Sequence, residues 1–176
     1  EIVSRRSASC GLLWDLPVKL FIVAILVGGL STLVLDLWQR VAFRLGGLPP
    51  TNWAMVGRWL LILRRDGIVF NTDLARVPSL PNELRVGWLL HYAVGIVYAL
   101  TYVLLWTGLG WLAPGWLDGL RFGAISVLVP WFFFMPATGA GVMASRTPRP
   151  FFGCVSALVV HSIFGMCMGG FLLWLV

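Results

Sequence analysis

The chain has 176 residues, of which 59% are hydrophobic and 11% are charged, and its formal net charge at pH 7 is +6. Soluble globular domains carry about 25% charged residues, so this composition excludes an ordinary soluble domain and indicates an integral membrane protein. The positive charge does not predict a nucleic-acid partner, because no basic run alternates with aromatic residues and arginines are expected at the ends of membrane spans.

Four apolar segments, each long enough to cross a hydrocarbon layer of about 30 Å, follow one another along the chain. Pro17 suits the first turn of the first helix, and Gly46 and Gly47 suit its end. Pro130 and Pro136 are expected to kink or end the third helix, which neighbouring helices tolerate in a membrane. The predicted spans are residues 17–44, 83–106, 115–136 and 151–175.

The only long connection is the first loop, residues 46–83. Thr51 is a candidate cap for a helix that continues to about Arg65. Arg58 falls on its polar side, and its apolar side carries Trp53, Val56, Leu60 and Leu63. This pattern is typical of an amphipathic helix lying at the membrane interface, and a helix packed against the end of the bundle is the alternative.

The predicted fold class is therefore all-α, an integral membrane bundle of four transmembrane helices with a short amphipathic interfacial helix in the first loop. Residues 17–176 form the single predicted domain, and residues 1–16 are an N-terminal extension. Nine Lys and Arg residues belong to the first and third loops and their flanks, against four elsewhere. This imbalance places the first and third loops in the cytoplasm and both termini outside.

Among the ionisable residues of the predicted spans, three lie well inside, where such residues are costly and mark candidate sites. Asp36, His91 and His161 lie about 12, 9 and 16 Å in from the same side of the bundle, at about 1.5 Å per helical residue. Each belongs to a stripe of small residues spaced by four, which is typical of close helix contact in a membrane. The glycines expected at these contacts are Gly87, Gly95, Gly153, Gly165 and Gly169.

Arg40 and Tyr92 complete the candidate polar cluster, for which four hypotheses stay open. The first is a buried hydrogen-bond network in which Asp36 accepts from a histidine or pairs with Arg40. The second is haem b with His91 and His161 as axial ligands. The third is a binding or proton-handling site for a quinone, lipid or other small molecule, and the fourth is a His/His/Asp metal site.

Several motifs stand in order along the chain: Asp36-Leu37-Trp38, Val56-Gly57-Arg58-Trp59, His91-Tyr92-Ala93, and Ala144-Ser145-Arg146-Thr147-Pro148 before His161. Together they resemble a family of small bacterial inner-membrane proteins that is known only as a domain of unknown function. The resemblance runs from about residue 20 to the C-terminus. It implies four spans in the bacterial inner membrane, and it carries over no activity, cofactor or catalytic residue.

The sequence predicts a small polytopic protein that works by association, as an accessory or structural subunit of a membrane complex. Its expected partners are the lipid bilayer and other membrane subunits. No phosphate loop, nucleophile elbow or HExxH helix is present, so an enzyme is not predicted. The alternative is a redox or proton-handling membrane protein that binds haem, quinone or another small molecule through Asp36, His91 and His161.

Overall fold

A computed structural model describes the backbone of residues 2–47 and 50–176, and the side chains of residues 18–47 and 50–176. This described part is helical, with no β-strand. Its helices are α1 (Ile2–Arg44), α2 (Trp53–Asp66), α3 (Glu83–Thr107), α4 (Trp116–Ala137) and α5 (Pro150–Leu175). Two short 3-10 turns, Leu74–Arg76 and Val142–Ala144, lie in the first and third loops.

Among the described residues, four helices are long and apolar enough to cross a membrane, namely α1 from Val18 on, α3, α4 and α5. The predicted all-α fold class is confirmed, and the ends of α3, α4 and α5 fall within one residue of the predicted ones. The predicted first span, residues 17–44, agrees with the apolar span Val18–Arg44, whereas the helix that contains it begins at Ile2 and not at Pro17. A proline lacks an N–H and its ring crowds the carbonyl four residues before it, but the other helical hydrogen bonds can carry a helix through such a position. The side chains of the expected extension, residues 1–16, lie outside the described residues.

Glycines end α1 at the start of the first loop, and an asparagine caps the beginning of α2. Gly46 takes the left-handed conformation, with φ at +88°, and the N–H of Gly47 bonds to the carbonyl of Ala42 at 2.8 Å. This is a common way to end a helix. The cap of α2 is Asn52 and not the predicted Thr51, since the Asn52 side chain accepts a bond from the N–H of Met55 at 3.3 Å. An amide oxygen one residue closer to the helix reaches its free N–H groups better.

Glycines set the contacts between helices. α1 packs against α3 and α5, α4 packs against α5, and α2 packs against α3. Gly28 of α1 faces Gly95 of α3 so closely that a Cβ on Gly28 would lie 2.8 Å from the Gly95 carbonyl oxygen. Gly165 of α5 approaches Gly119 of α4 still more closely. Small residues allow this approach, and the bundle gains backbone contact over much of its length.

α4 changes its helical type near its middle. The α-helical part is Trp116–Ser126, and a π-helical turn follows at Pro130–Phe134. Pro130 has no N–H to give to the helix, and an extra residue in the turn relieves the missing bond. The predicted irregularity at Pro130 is therefore a π-helical turn, and the helix ends at Ala137, one residue after Pro136.

The buried apolar side chains form two clusters. The larger one joins α1, α3, α4 and α5 around Tyr102, Phe122, Phe164 and Met168. The smaller one joins α2 to the first loop and to the end of α4 around Trp59. The region between these clusters contains the candidate site.

Candidate functional site

A cavity of about 340 Å³ lies between the helices, and its wall includes Leu35 and Phe164 of the larger cluster and Leu90 and Phe134 beside the smaller one. Protein interiors leave few voids larger than a water molecule. A space of this size falls at the lower end of the range for small-molecule sites, about 300–1,000 Å³. All five helices contribute to the wall. Its polar members are Thr32, Gln39, Thr51, His91, Tyr98, Thr138, Ser156 and His161.

His91 is held on one side of this cavity by Asp36. The Nε2 atom of His91 lies 3.0 Å from Oδ1 of Asp36, and the hydroxyl of Tyr92 donates to Oδ2 at 3.2 Å. The Asp36 side chain is only 6% exposed, so both of its oxygens depend on these partners. A carboxylate accepts, which fixes the proton of His91 on Nε2 and leaves the lone pair of the neutral ring on Nδ1.

Aromatic rings cover His91. The Trp53 ring of α2 stacks on the imidazole, with 3.8 Å between the ring centroids and 25° between their planes. Trp88 approaches the same ring edge-on at 5.7 Å. Arg40, expected as a possible partner of Asp36, is exposed and lies 6.0 Å from the centroid of Trp88 instead. A cation over the face of tryptophan is favourable, so Arg40 is held against Trp88 on the exposed side of the aromatic rings around His91.

His161 lies on the α5 side of the same cavity and has a different partner. Its Nδ1 atom is 2.8 Å from Oγ of Ser126 on α4, and that hydroxyl is also 2.8 Å from the carbonyl oxygen of Gly123. The Tyr98 ring stands perpendicular to the imidazole, with 5.9 Å between the centroids. The structure therefore joins Asp36, His91 and Tyr92 directly, and it brings His161 to the same cavity without a bond to them.

Gln39 is a site residue that the sequence did not predict. It lines the cavity, it is 7% exposed, and its amide has no hydrogen-bond partner among the described residues. The amide atoms of Gln39 are not among the fully buried, unpartnered polar atoms of the described side chains, so they are open to the cavity and available to a polar atom of a ligand there. Its position three residues after Asp36 puts it on the same helical face, which is the signal that could have identified it.

Ser126 was also missed, and here the sequence offers little signal. It lies one turn before Pro130, in a helix where no ionisable residue marks the inner face. Serine is frequent at helix contacts in membranes, so its type alone does not indicate a histidine partner. Gly123 and Gly119 lie three and seven residues before Ser126, on the same face of the helix, and both contact α5. This pair of glycines is the sequence pattern that indicated the inner face of α4.

α2 is fixed to α3 beside the cavity. Gly57 and Gly87 meet at the crossing of the two helices, where neither has space for a side chain. Arg58 donates two bonds to Glu83, from Nε at 2.8 Å and Nη2 at 2.9 Å, and a third to the carbonyl of Val77. Its hydrogen bond to the Glu83 carboxylate raises the pKa of the Arg58 guanidinium. The sequence placed Arg58 on the polar side of α2, and in the structure its guanidinium bonds to the half-buried Glu83 carboxylate of α3.

The remaining predicted site residues have clear positions. Gly95 contacts α1 at Thr32, Gly169 contacts α4 at Gly115 and Gly119, and a Cβ on Gly153 would lie 3.1 Å from that of Ala144. The predicted His/His/Asp metal site is not assembled: within the described residues, no three His, Cys, Asp or Glu side chains group to hold a metal ion. Asp36 and His91 are bonded to each other, and His161 is bonded to α4.

The chain matches one protein family, described as protein of unknown function (DUF2938), over residues 25–173. No match was found among curated proteins. No match was found among solved structures either. The match covers α2, α3 and α4, most of the apolar span of α1, most of α5, and all the residues of the cavity, and it confirms the resemblance to an uncharacterised family. The chain belongs to this family of proteins of unknown function.

Proposed function

We propose that this protein binds a small, largely apolar molecule with one or more polar groups in the cavity between its helices. The observation that carries the proposal is Gln39, a 7% exposed residue whose amide has no hydrogen bond to any described residue and opens on a cavity of about 340 Å³. Two histidines with fixed partners, His91 and His161, line the same space. Polar groups of this kind orient a ligand, and the apolar wall supplies most of its contact.

The arrangement of the histidines supports binding rather than a purely structural network. A structural network would pair its members with one another, as Asp36 does with His91 and Tyr92. By contrast, Gln39, Tyr98 and His161 each keep at least one polar atom without a hydrogen bond to any described residue, and all three line the cavity. These atoms are not among the fully buried, unpartnered polar atoms of the described side chains, so they are open to the cavity and can each bond to a polar group of a bound molecule.

Ligand extraction tests the proposal. The protein is purified in lipid nanodiscs, and the molecules that copurify are identified by mass spectrometry after organic extraction. Val160→Phe places a large side chain in the cavity wall, and we expect it to lose the copurifying molecule. Val159→Phe is the matched control, because Val159 precedes Val160 on α5, is 40% exposed and does not line the cavity.

Equal recovery of the same molecules from both variants would contradict binding in the cavity. Loss from Val160→Phe alone would support it, provided that the two variants unfold at similar temperatures. A molecule retained by both variants in proportion to the lipid of the nanodisc is bulk lipid and counts against the proposal.

We infer that the protein acts in the bacterial inner membrane, with the first and third loops in the cytoplasm. The apolar helices and the imbalance of basic residues support this placement. The hypothesis of an accessory subunit stays a prediction, and the same purification tests it. A partner protein that copurifies in fixed stoichiometry would support that hypothesis, and a single polypeptide that retains its ligand would favour an independent binding protein.

A further inference from the structure

The Ser126 hydroxyl has one proton and two polar neighbours. Its Oγ lies 2.8 Å from the carbonyl oxygen of Gly123 and 2.8 Å from Nδ1 of His161. A hydroxyl group donates one hydrogen bond and accepts others. A carbonyl oxygen only accepts, so both contacts are satisfied together when Ser126 donates to Gly123 and His161 Nδ1–H donates to Ser126.

This assignment determines what His161 offers to the cavity. With the proton on Nδ1, the neutral imidazole carries its lone pair on Nε2. Nε2 has no hydrogen-bond partner among the described residues, and His161 lines the cavity. The free atom is therefore an acceptor. A ligand that presents only a carbonyl or ether oxygen would leave it without a partner.

We propose that the ligand of this cavity carries a phenolic hydroxyl, as in a phenol or a hydroquinone, and donates it to Nε2 of His161. This inference rests on the proposed function and names the class of molecule bound. The aromatic class follows from the wall, where four of the lining residues, Trp53, Tyr98, Phe134 and Phe164, carry aromatic rings. Ring edges and faces attract one another, so an aromatic ligand gains contact beyond its area.

Ser126 is a positioning residue in this scheme, because it acts on the ligand only through His161. Without its hydroxyl, the imidazole has no partner that keeps the proton on Nδ1. The ring can then carry the proton on Nε2. In that form Nε2–H donates a hydrogen bond, and a carbonyl or ether oxygen of the ligand can accept it as well as a hydroxyl oxygen. Substitution of Ser126 therefore changes which ligand is preferred, and loss of packing alone would weaken all ligands equally.

The test uses two probes of nearly the same shape, 4-pentylphenol and its methyl ether 4-pentylanisole. Their dissociation constants are measured by quenching of tryptophan fluorescence in nanodiscs, relative to empty nanodiscs for partitioning into lipid. We expect the wild-type protein to bind the phenol roughly tenfold more tightly, since one buried hydrogen bond separates the probes. We expect His161→Phe and Ser126→Ala to reduce this ratio to about twofold or less, on the same grounds.

Controls separate this inference from the proposed function. Ser31→Ala removes a buried hydroxyl of α1 that does not line the cavity, so its ratio should equal that of the wild type. Equal binding of both probes, blocked by Val160→Phe, would overturn the phenolic ligand and leave the cavity as a binding site. Binding of neither probe, or binding that Val160→Phe does not affect, would overturn both. Ser126→Thr keeps the hydroxyl and should restore the ratio.

Discussion

The Nε2 atom of His91 lies 3.0 Å from Oδ1 of Asp36, which links α3 to α1 through a buried side-chain bond. Tyr92, one residue further along α3, bonds to the second carboxylate oxygen. Adjacent residues of a helix point in different directions, so both reach the same carboxylate only because α1 and α3 cross closely at Gly28 and Gly95. The hydrogen bonds of Asp36 to His91 and Tyr92 therefore require the close contact of the small residues on α1 and α3.

Asp36→Ala should lower stability, because it leaves the histidine and the tyrosine without their acceptor. A buried group that loses its partner costs about 1–3 kcal/mol, and side-chain bonds between membrane helices average about 0.6 kcal/mol. We expect a loss of about 1–2 kcal/mol, measured by reversible unfolding in mixed detergent micelles. Asp73→Ala, at an exposed position in the first loop, is the control and should leave stability unchanged.

The sequence predicted the spans because apolar length alone decides which segments cross a membrane. It also indicated Asp36, His91 and His161, since ionisable residues are rare in such segments. It did not indicate Ser126 or Gln39. Neutral polar residues are tolerated on any face of a membrane helix, and their partners depend on how the helices are rotated against each other. The rotation of α4 in turn depends on the π-helical turn at Pro130, which spacing alone does not predict.

The crossing of α2 and α3 should not tolerate a methyl group. A Cβ on Gly57 would overlap the carbonyl oxygen of Glu83, and a Cβ on Gly87 would overlap that of Trp53. Backbone cannot move aside as a flexible side chain can, so we expect Gly57→Ala to separate the helices and lower stability by about 1–3 kcal/mol. Gly29→Ala is the control, because a Cβ there meets nothing within 4 Å. If Gly57→Ala were as stable as Gly29→Ala in the same unfolding experiment, the close crossing would be disproved.

Arg58 and Glu83 should contribute more than an exposed ion pair. Their side chains are 15% and 12% exposed, and the guanidinium makes two bonds to the carboxylate. Lysine keeps the charge but cannot form the paired bonds. A double-mutant cycle of Arg58→Lys and Glu83→Gln should give a coupling energy of about 1–2 kcal/mol, measured by unfolding in detergent.

The matched pair for this cycle is Arg65 and Asp66, where the arginine side chain is 66% exposed. Exposed pairs contribute about 0–1 kcal/mol. A coupling energy for Arg58 and Glu83 no larger than that of Arg65 and Asp66 would show that the pair does not hold α2 in place. In that case the Gly57 crossing alone would fix the helix.

The purified protein should show no Soret band. Haem held between His91 and His161 needs a nitrogen lone pair from each ring. Nε2 of His91 is bonded to Asp36, so only Nδ1 of that ring could bind the iron, and Trp53 stacks on the same ring with 3.8 Å between the centroids. Absorption spectra are recorded after expression with added haem precursor. A band that disappears in both His91→Ala and His161→Ala would contradict this prediction and support haem b as the ligand. A band that survives both changes comes from a contaminant.

The orientation of the bundle is testable with single cysteines in a cysteine-free background. Ser79 is exposed in the first loop, and Leu109 is 54% exposed in the second loop. The excess of basic residues on the first and third loops predicts that Ser79→Cys faces the cytoplasm and Leu109→Cys the opposite side. A membrane-impermeant maleimide added to whole spheroplasts should therefore label Leu109→Cys at once and Ser79→Cys only after permeabilisation. The reverse pattern would place the termini in the cytoplasm, and the cavity, whose wall includes Thr51 and Trp53 at the start of α2, would then lie toward the outer side of the membrane.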